Sequence, residues 1–222
     1  KTRQNKTYES VSEINGTAIP IYFEYLKNKK ISILEKLPYN ENSTVFNKQH
    51  YSFIEDDEPS ENMEGKYSIS SIIQKLDKGI DPDELLYITN RWISFKTGYL
   101  FKLKQIKQYD WLTGENLNKC VNNLDKLSIT KEATFEKKIT IENRPELINR
   151  KLVGFMDCID KDSIYEFKCV GKLEHSHYIQ LAIYAYMTKT KLINSEYKYF
   201  MYNILTNELN EIVFKYNDLV NM

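Results

Sequence analysis

The sequence predicts an α/β protein: a mixed β-sheet flanked by helices, preceded by a mostly helical N-terminal half. Three observations carry this reading. Between residues 82 and 126 apolar residues recur at helical spacing. From residue 134 the apolar period changes to two. One helical stretch, 175–187, then interrupts the strand-like runs, so the order is helices followed by β-β-β-α-β-β.

Taken in order, residues 1–48 form a lead-in segment or the tail of a preceding domain. Within it IPIYFEYLKNKK, 19–30, reads as a short amphipathic helix. Two short β-like runs, 50–54 and 66–69, flank an acidic stretch EDDEPSENMEG, 55–65, that reads as an exposed loop. Ser70 or Ser71 is placed to cap a helix over 71–77. Residues 82–107 read as helical, with Pro82 early and Gly98 as an interruption. A further helix covers 114–126, with Leu117, Val121 and Leu124 on one face. Three strands follow, at 133–141, 151–160 and 163–170, the last two joined by a tight turn at Lys161 and Asp162. After the helix at 175–187, the runs 196–204 and 208–216 read as a hairpin around Thr206 and Asn207. Residues 49–222 are thus read as one domain, with a helical part at 70–130 and an α/β core at 133–216.

Composition narrows the function. The 222 residues carry 31 Lys+Arg against 31 Asp+Glu, a formal net charge of zero. That excludes a polybasic tail or a uniformly basic binder, but not a local basic groove. No run approaches the roughly 18 apolar residues that span a bilayer, so no membrane partner is expected. No secretory leader pattern is read at the start, which opens without a Met and reads as trimmed or as part of something longer. Cys120, Cys158 and Cys169 lack metal-ligand spacing and leave an odd thiol, which points to an intracellular reducing setting such as cytoplasm, nucleoid, viral factory or mitochondrion. Gly-rich phosphate loops, nucleophile elbows, zinc spacings and dinucleotide fingerprints are not found.

The informative segment is 154–184. Asp157 interrupts the apolar strand GFMDCID, and Glu166-Phe167-Lys168 follows in IYEFKCV. With a strand period of two, Glu166 and Lys168 share a face while Phe167 takes the other. Charges on such an apolar run are costly to bury unless paired or metal-bound. A hairpin brings Asp157 beside Glu166, and a divalent cation relieves the repulsion of two close carboxylates. Oxygen-only ligation with open water positions suits Mg²⁺ or Mn²⁺. Such a site suits metal-assisted phosphodiester hydrolysis, with Lys168 orienting or deprotonating a water and offsetting transition-state charge. On the next helix His177, Gln180 and Tyr184 share one stripe that can reach a phosphate or a base. The blander alternatives are a surface Glu–Lys pair, a satisfied core Gln and Tyr, and a surface His. Ile179, Ala182, Ile183 and Tyr186 fall on the opposite, core-like arc.

Read together, G-F-M-D-C-I-D, I-Y-E-F-K and Q-L-A-I-Y resemble the motifs G-x-x-D, (D/E)-x-K and Q-x3-Y of the PD-(D/E)xK nucleases, RecB-like branch. The resemblance covers about 134–205. It implies a restriction-endonuclease-like sheet and a Mg²⁺ or Mn²⁺ cofactor. It implies Asp157, Glu166 and the Phe167 backbone carbonyl as metal ligands, Lys168 as catalytic lysine, and Gln180 and Tyr184 on the substrate side. Glu136 matches an acidic position seen in viral and organellar members and is a further candidate ligand. His50, Tyr51 and 67–70 loosely match the lead-in of viral members. The branch also carries a helix reading roughly G-T-x-L-H-x3-E. Here the aligned stretch begins at Gly114, and Asn118 and Asn122 replace the His and Glu, so that either Glu115 or Glu136 compensates or activity is low.

The expected activity is a metal-dependent deoxyribonuclease, an exonuclease on single-stranded ends in replication, repair or recombination. DNA rather than RNA is the expected partner, with a helicase or polymerase in the same polypeptide or complex. Lys138, Arg150 and Lys151 flank the site strands and are candidate phosphate contacts, or else solvated faces. Tyr99, Phe101 and Tyr109 offer rings for base stacking, although core packing is the simpler account. Trp92 and Trp111 read as core. Two alternatives stand beside this reading: a degenerate nuclease fold serving as a binding module, and a viral RNA endonuclease with the same D…E-x-K pattern.

Overall fold

A computed structural model describes residues 11–37, 67–99, 103, 106, 108–148, 150–191 and 196–215. The 50–54 run, the acidic 55–65 loop, His50, Tyr51 and Phe101 lie outside the described residues. The chain divides into two compact units, Lys1–Asn118 and Lys119–Met222.

The first unit is helical. Helix α1, Ser12–Asn28, is longer than the 19–30 reading, and Pro20 sits inside it. Pro favours a helix start, but burial of Ile14 and Ala18, six and two residues earlier, extends the helix past that signal. It ends at Lys29 in the left-handed region, whose N–H donates to Tyr25 O (2.7 Å). Helix α2, Ile69–Lys75, is capped by Ser68 rather than Ser70 or Ser71, with Ser71 N–H donating to Ser68 Oγ. The 66–69 run is therefore not a strand where it is described: Tyr67 and Ser68 are irregular and Ile69 opens a helix.

Helix α3, Pro82–Thr97, starts at Pro82 and stops at Gly98, which takes φ 72°. A positive φ of this kind is cheap for glycine and costly for most side chains. The Glu84 carboxylate reaches back to the Asp81 N–H (3.2 Å), securing the first turn. α3 packs on α1 through Leu85, Ile88 and Trp92, all essentially buried. Tyr67, Tyr87 and Tyr109 form a ring cluster beside them. Tyr109 is buried and accepts a hydrogen bond from Asn90 Nδ2 (2.9 Å), so it is core rather than a stacking platform. Tyr99 is exposed. Trp92 is core as read; Trp111 is half-buried and donates Nε1–H to Asn15 Oδ1 (2.8 Å).

Helix α4, Gly114–Asp125, begins at the end of the first unit and runs into the second. Its apolar face is Leu117, Cys120, Val121 and Leu124. The second unit is an α/β layer. Strands β1 (Thr134–Ile141), β2 (Leu152–Asp160), β3 (Ser163–Lys168), β4 (Lys198–Asn203) and β5 (Glu208–Ile212) form one mixed sheet in sequential order. All neighbours are antiparallel except β3 and β4, which are parallel. Helix α5, His175–Lys191, makes the connection that a parallel pair requires.

α5 buries Leu181, Ala185 and Met187 completely against Ile139, Met156, Ile164, Tyr199 and Met201. Each fully buried aliphatic side chain contributes about 1.5–3 kcal/mol. Ile179 departs from the sequence reading: it is exposed, while Leu181 takes the core. Thr188 Oγ1 and Tyr199 OH hydrogen-bond beneath the helix (2.7 Å), so these two buried hydroxyls satisfy each other.

The end of β3 is held by β4. Ile204 N–H donates to Lys168 O (2.7 Å). Asn203, wholly buried, accepts from Val170 N–H (3.3 Å) and donates to Val170 O (2.8 Å). Alanine at Asn203 leaves these buried backbone groups unmatched. Asn203→Ala is expected to cost about 1–3 kcal/mol, measured as a lower urea midpoint at unchanged slope.

Candidate functional site

The site assembles where β1, β2 and β3 pass beneath α5. β2 and β3 pair as Cys158↔Tyr165, Ile159↔Ile164 and Asp160↔Ser163 around the Lys161–Asp162 turn. One step further along the same register sets Asp157 across from Glu166, as a hairpin requires. Here the regular ladder gives way to a side-chain contact: Phe167 N–H donates to Asp157 Oδ2 (2.7 Å). Strand alternation turns Phe167 to the opposite face, where its ring meets Tyr165 and Tyr202.

β1 adds Glu136 by a backbone device that the sequence does not announce. The β1–β2 register pairs Phe135 with Cys158 and resumes at Lys137 with Met156, skipping the step between them. That step is Glu136 opposite Asp157. Glu136 has φ 49°, in the left-handed region, and is buried. Such a conformation is unfavourable for a side chain of this size, and strain of this kind clusters at functional sites.

Two neighbouring carboxylates therefore act on Asp157. The Asp157 carboxyl is pushed well above its ordinary value, by burial first and then by the Glu166 and Glu136 charges, while Lys168 and the Phe167 N–H pull it back. Glu166 is fully buried, and its Oε1 receives Lys168 Nζ (2.7 Å). Its Oε2 is buried and receives no hydrogen bond among the described residues.

α5 completes the cluster. Lys168 Nζ also donates to Gln180 Oε1 (2.8 Å), and Gln180 Nε2 donates to Tyr184 OH (3.3 Å). Glu166, Lys168, Gln180 and Tyr184 thus form one chain of contacts from strand to helix. The i, i+4 spacing of Gln180 and Tyr184 makes this possible. The Tyr184 phenol is raised by burial and then by Glu166 and Asp157. His177 accepts the Glu174 N–H at Nδ1 (2.9 Å), and burial followed by the Lys168 charge lowers its pKa.

Other candidates are not drawn in. Lys138, Arg150 and Lys151 are exposed, and Lys151 is engaged with Glu142 (2.8 Å). Lys138 lies over the Phe155 ring. Asn118 and Asn122 are both exposed on α4, and Glu115 is exposed as well. The additional acid felt by Asp157 is Glu136, from a strand. Among the described residues no group of three or more His, Cys, Asp or Glu side chains is gathered closely enough to hold a metal ion. The three carboxylates are near enough to repel without forming a closed ligand shell.

Sequence reasoning named Gly154 only as a motif letter. A Cβ there would lie 2.6 Å from Tyr184 Cε1 and 3.3 Å from Met187 Sδ, so glycine is what lets α5 settle on β2. Gly154→Ala is expected to cost about 1–3 kcal/mol through overpacking and to displace the Tyr184 ring. Denaturant midpoints and the intrinsic fluorescence of the folded protein measure the two effects. Asn203 was also missed; an Asn closing the apolar run YFMY was its signal.

Among the described residues no helix is long and apolar enough to cross a membrane. Comparison with known proteins finds no matching family model, no matching curated protein and no matching solved structure.

Proposed function

We propose that the chain is a Mg²⁺- or Mn²⁺-dependent nuclease built on a restriction-endonuclease-like sheet, of the PD-(D/E)xK type and RecB-like branch. The observation that supports it is the buried Asp157 carboxyl, which feels Glu166, Glu136 and a lysine that is itself bound to Glu166 and Gln180. A purely structural hairpin has no use for a buried carboxyl raised by two neighbouring acids. The donors are all oxygens, which fits a hard divalent cation rather than zinc or copper.

Asp157, Glu166 and the Phe167 carbonyl are the groups that would hold the ion, with water in the remaining positions. A bound Mg²⁺ or Mn²⁺ supplies Lewis acidity at a phosphoryl oxygen and lowers the pKa of a water. The chain's own residues do the rest. Lys168 brings a positive charge to the edge of the carboxylate cluster, where it orients the attacking water and offsets charge on the phosphoryl oxygens. Gln180 fixes the Lys168 ammonium, and Tyr184 fixes Gln180. His177, on the same stripe, faces the substrate side. The substrate is read as DNA, attacked from single-stranded ends, with a helicase or polymerase as working partner.

The test is direct. Labelled single- and double-stranded DNA and RNA are incubated with the protein in Mn²⁺, Mg²⁺ or EDTA. Cleavage of DNA in either metal and none in EDTA is the expected result. Cleavage of RNA alone would move the reading to an RNA endonuclease.

A second reading is a nuclease-like fold used to bind nucleic acid without cutting it. The exposed Asn118 and Asn122, where the resembling helix carries His and Glu, favour it. Salt-sensitive DNA binding with no cleavage in either metal would select it.

A further inference from the structure

Two of the three cysteines meet in the second unit. Cys120 lies on the buried face of α4, and Cys169 is the first residue beyond β3. Their side chains hydrogen-bond to each other. Contacts without sulfur place the same segments side by side. Asn123, one turn after Cys120, donates Nδ2–H to Ile204 O (2.9 Å) and accepts from Tyr202 OH at its own carbonyl (2.8 Å). Ile204 in turn donates its N–H to Lys168 O (2.7 Å). The end of β4 therefore bridges α4 and the end of β3, which is where the two thiols are.

The environment also activates one of them. The hydrogen bond with Cys169 first, and Lys119 next, bring the Cys120 thiol down to about 7 against the effect of burial. Near neutral pH a substantial fraction is thiolate, the nucleophilic form. Cys158 has a different setting, buried in the sheet between Phe135 and Tyr165.

We propose that Cys120 and Cys169 are a reversible dithiol–disulfide switch, oxidised by peroxide, that acts on the position of Lys168. The Cys120 sulfur attacks one peroxide oxygen, the O–O bond breaks, and hydroxide leaves to become water on taking a proton. The sulfenic acid at Cys120 is then attacked by the Cys169 sulfur. The S–S bond forms, the S–O bond breaks, and the Cys169 proton leaves with the oxygen as a second water. Two thiols and one peroxide give one disulfide and two waters, the sulfurs oxidised and the oxygens reduced.

The bond has a mechanical consequence. Disulfide sulfurs are only about 2.0 Å apart, closer than a thiol hydrogen bond. Closing that distance pulls Cys169 toward α4, and Cys169 is joined by a peptide bond to Lys168. Lys168 is then drawn away from the geometry set by Glu166 and Gln180. Misplacing a reacting group by about 1 Å costs up to about 10²-fold in rate. The effect on cleavage rests on the nuclease reading; formation of the bond does not.

The full chain is treated with hydrogen peroxide, blocked with a thiol reagent and digested without reductant for mass spectrometry. Wild type, Cys120→Ser, Cys169→Ser and Cys158→Ser are compared, and Mn²⁺-dependent DNA cleavage is followed before oxidation, after it and after dithiothreitol. The expected result is a Cys120–Cys169 cross-linked peptide, two hydrogens lighter than the dithiol, in wild type and Cys158→Ser alone. Cleavage should fall about 10- to 100-fold on oxidation, recover with dithiothreitol, and resist mild peroxide in Cys169→Ser. Free thiols in the folded, peroxide-treated wild type would overturn the proposal, as would a cross-link that leaves cleavage unchanged. A cross-link in a protein inactive in both redox states supports the thiol pair and counts against the nuclease reading instead.

Discussion

Replacing Lys168 with alanine is expected to lower metal-dependent DNA cleavage about 10²–10⁴-fold, the range for a positioned acid–base group, and Asp157→Ala should do the same. Lys168 is the cation that pulls the Asp157 carboxyl back, and two of its three donors are directed to Glu166 and Gln180. Removing it takes away both the charge that offsets the transition state and the link from strand to helix. Gln180→Ala should lose less, because it loosens the lysine without removing it. Far-ultraviolet circular dichroism separates catalysis from folding, since losing Lys168 removes the ion-pair partner of the buried Glu166. Equal rates for wild type and a folded Lys168→Ala would sink the assignment of this lysine.

The second large effect is on stability and reverses the usual cost of mutation. In metal-free protein, Asp157→Asn is expected to be more stable than wild type at neutral pH. Asp157 is raised above its ordinary 3.8 on folding, so between the unfolded and folded values the native state binds more protons. Stability then falls as pH rises through that window, and the full deficit is present above it. Asparagine still offers an oxygen to the Phe167 N–H and carries no charge to set against Glu166 and Glu136. Its advantage should vanish below the unfolded value, grow as pH rises and level off above the folded value. Paired urea titrations in EDTA across the acid to neutral range would show this as a widening gap in midpoint. Adding Mn²⁺ should close the gap by stabilising wild type alone: about 2.7 kcal/mol at 100 times the dissociation constant. A constant gap across pH would remove the carboxylate repulsion from the account.

These effects trace to residues whose placement was legible at different depths. The order of strands and helix, the turn at Lys161 and Asp162, and the stripe His177, Gln180, Tyr184 follow from local period, and the structure has them. Local signals failed where burial or long-range contact decided. Pro20 was taken near a helix start and lies mid-helix because Ile14 and Ala18 are core. In the run SISS only the backbone of Ser68 is extended, so it is the cap. The positive φ of Glu136 has no sequence mark, since Glu is not a residue expected there. Asn203 and the contact of Cys120 with Cys169 depend on where β4 ends against α4, which no spacing encodes.

The kink at Glu136 has a use for the experimenter. Ordinary strand acids cannot be neutralised without leaving open whether charge or shape was lost. Here the backbone needs a left-handed residue, and asparagine and glycine both accept that conformation readily, whereas glutamine shares the reluctance of glutamate. Glu136→Asn should therefore discharge the position while relaxing the bend, and Glu136→Gln should discharge it while keeping the bend under load. The difference between these two variants isolates the conformational energy held in β1 from the electrostatic contribution of its carboxylate.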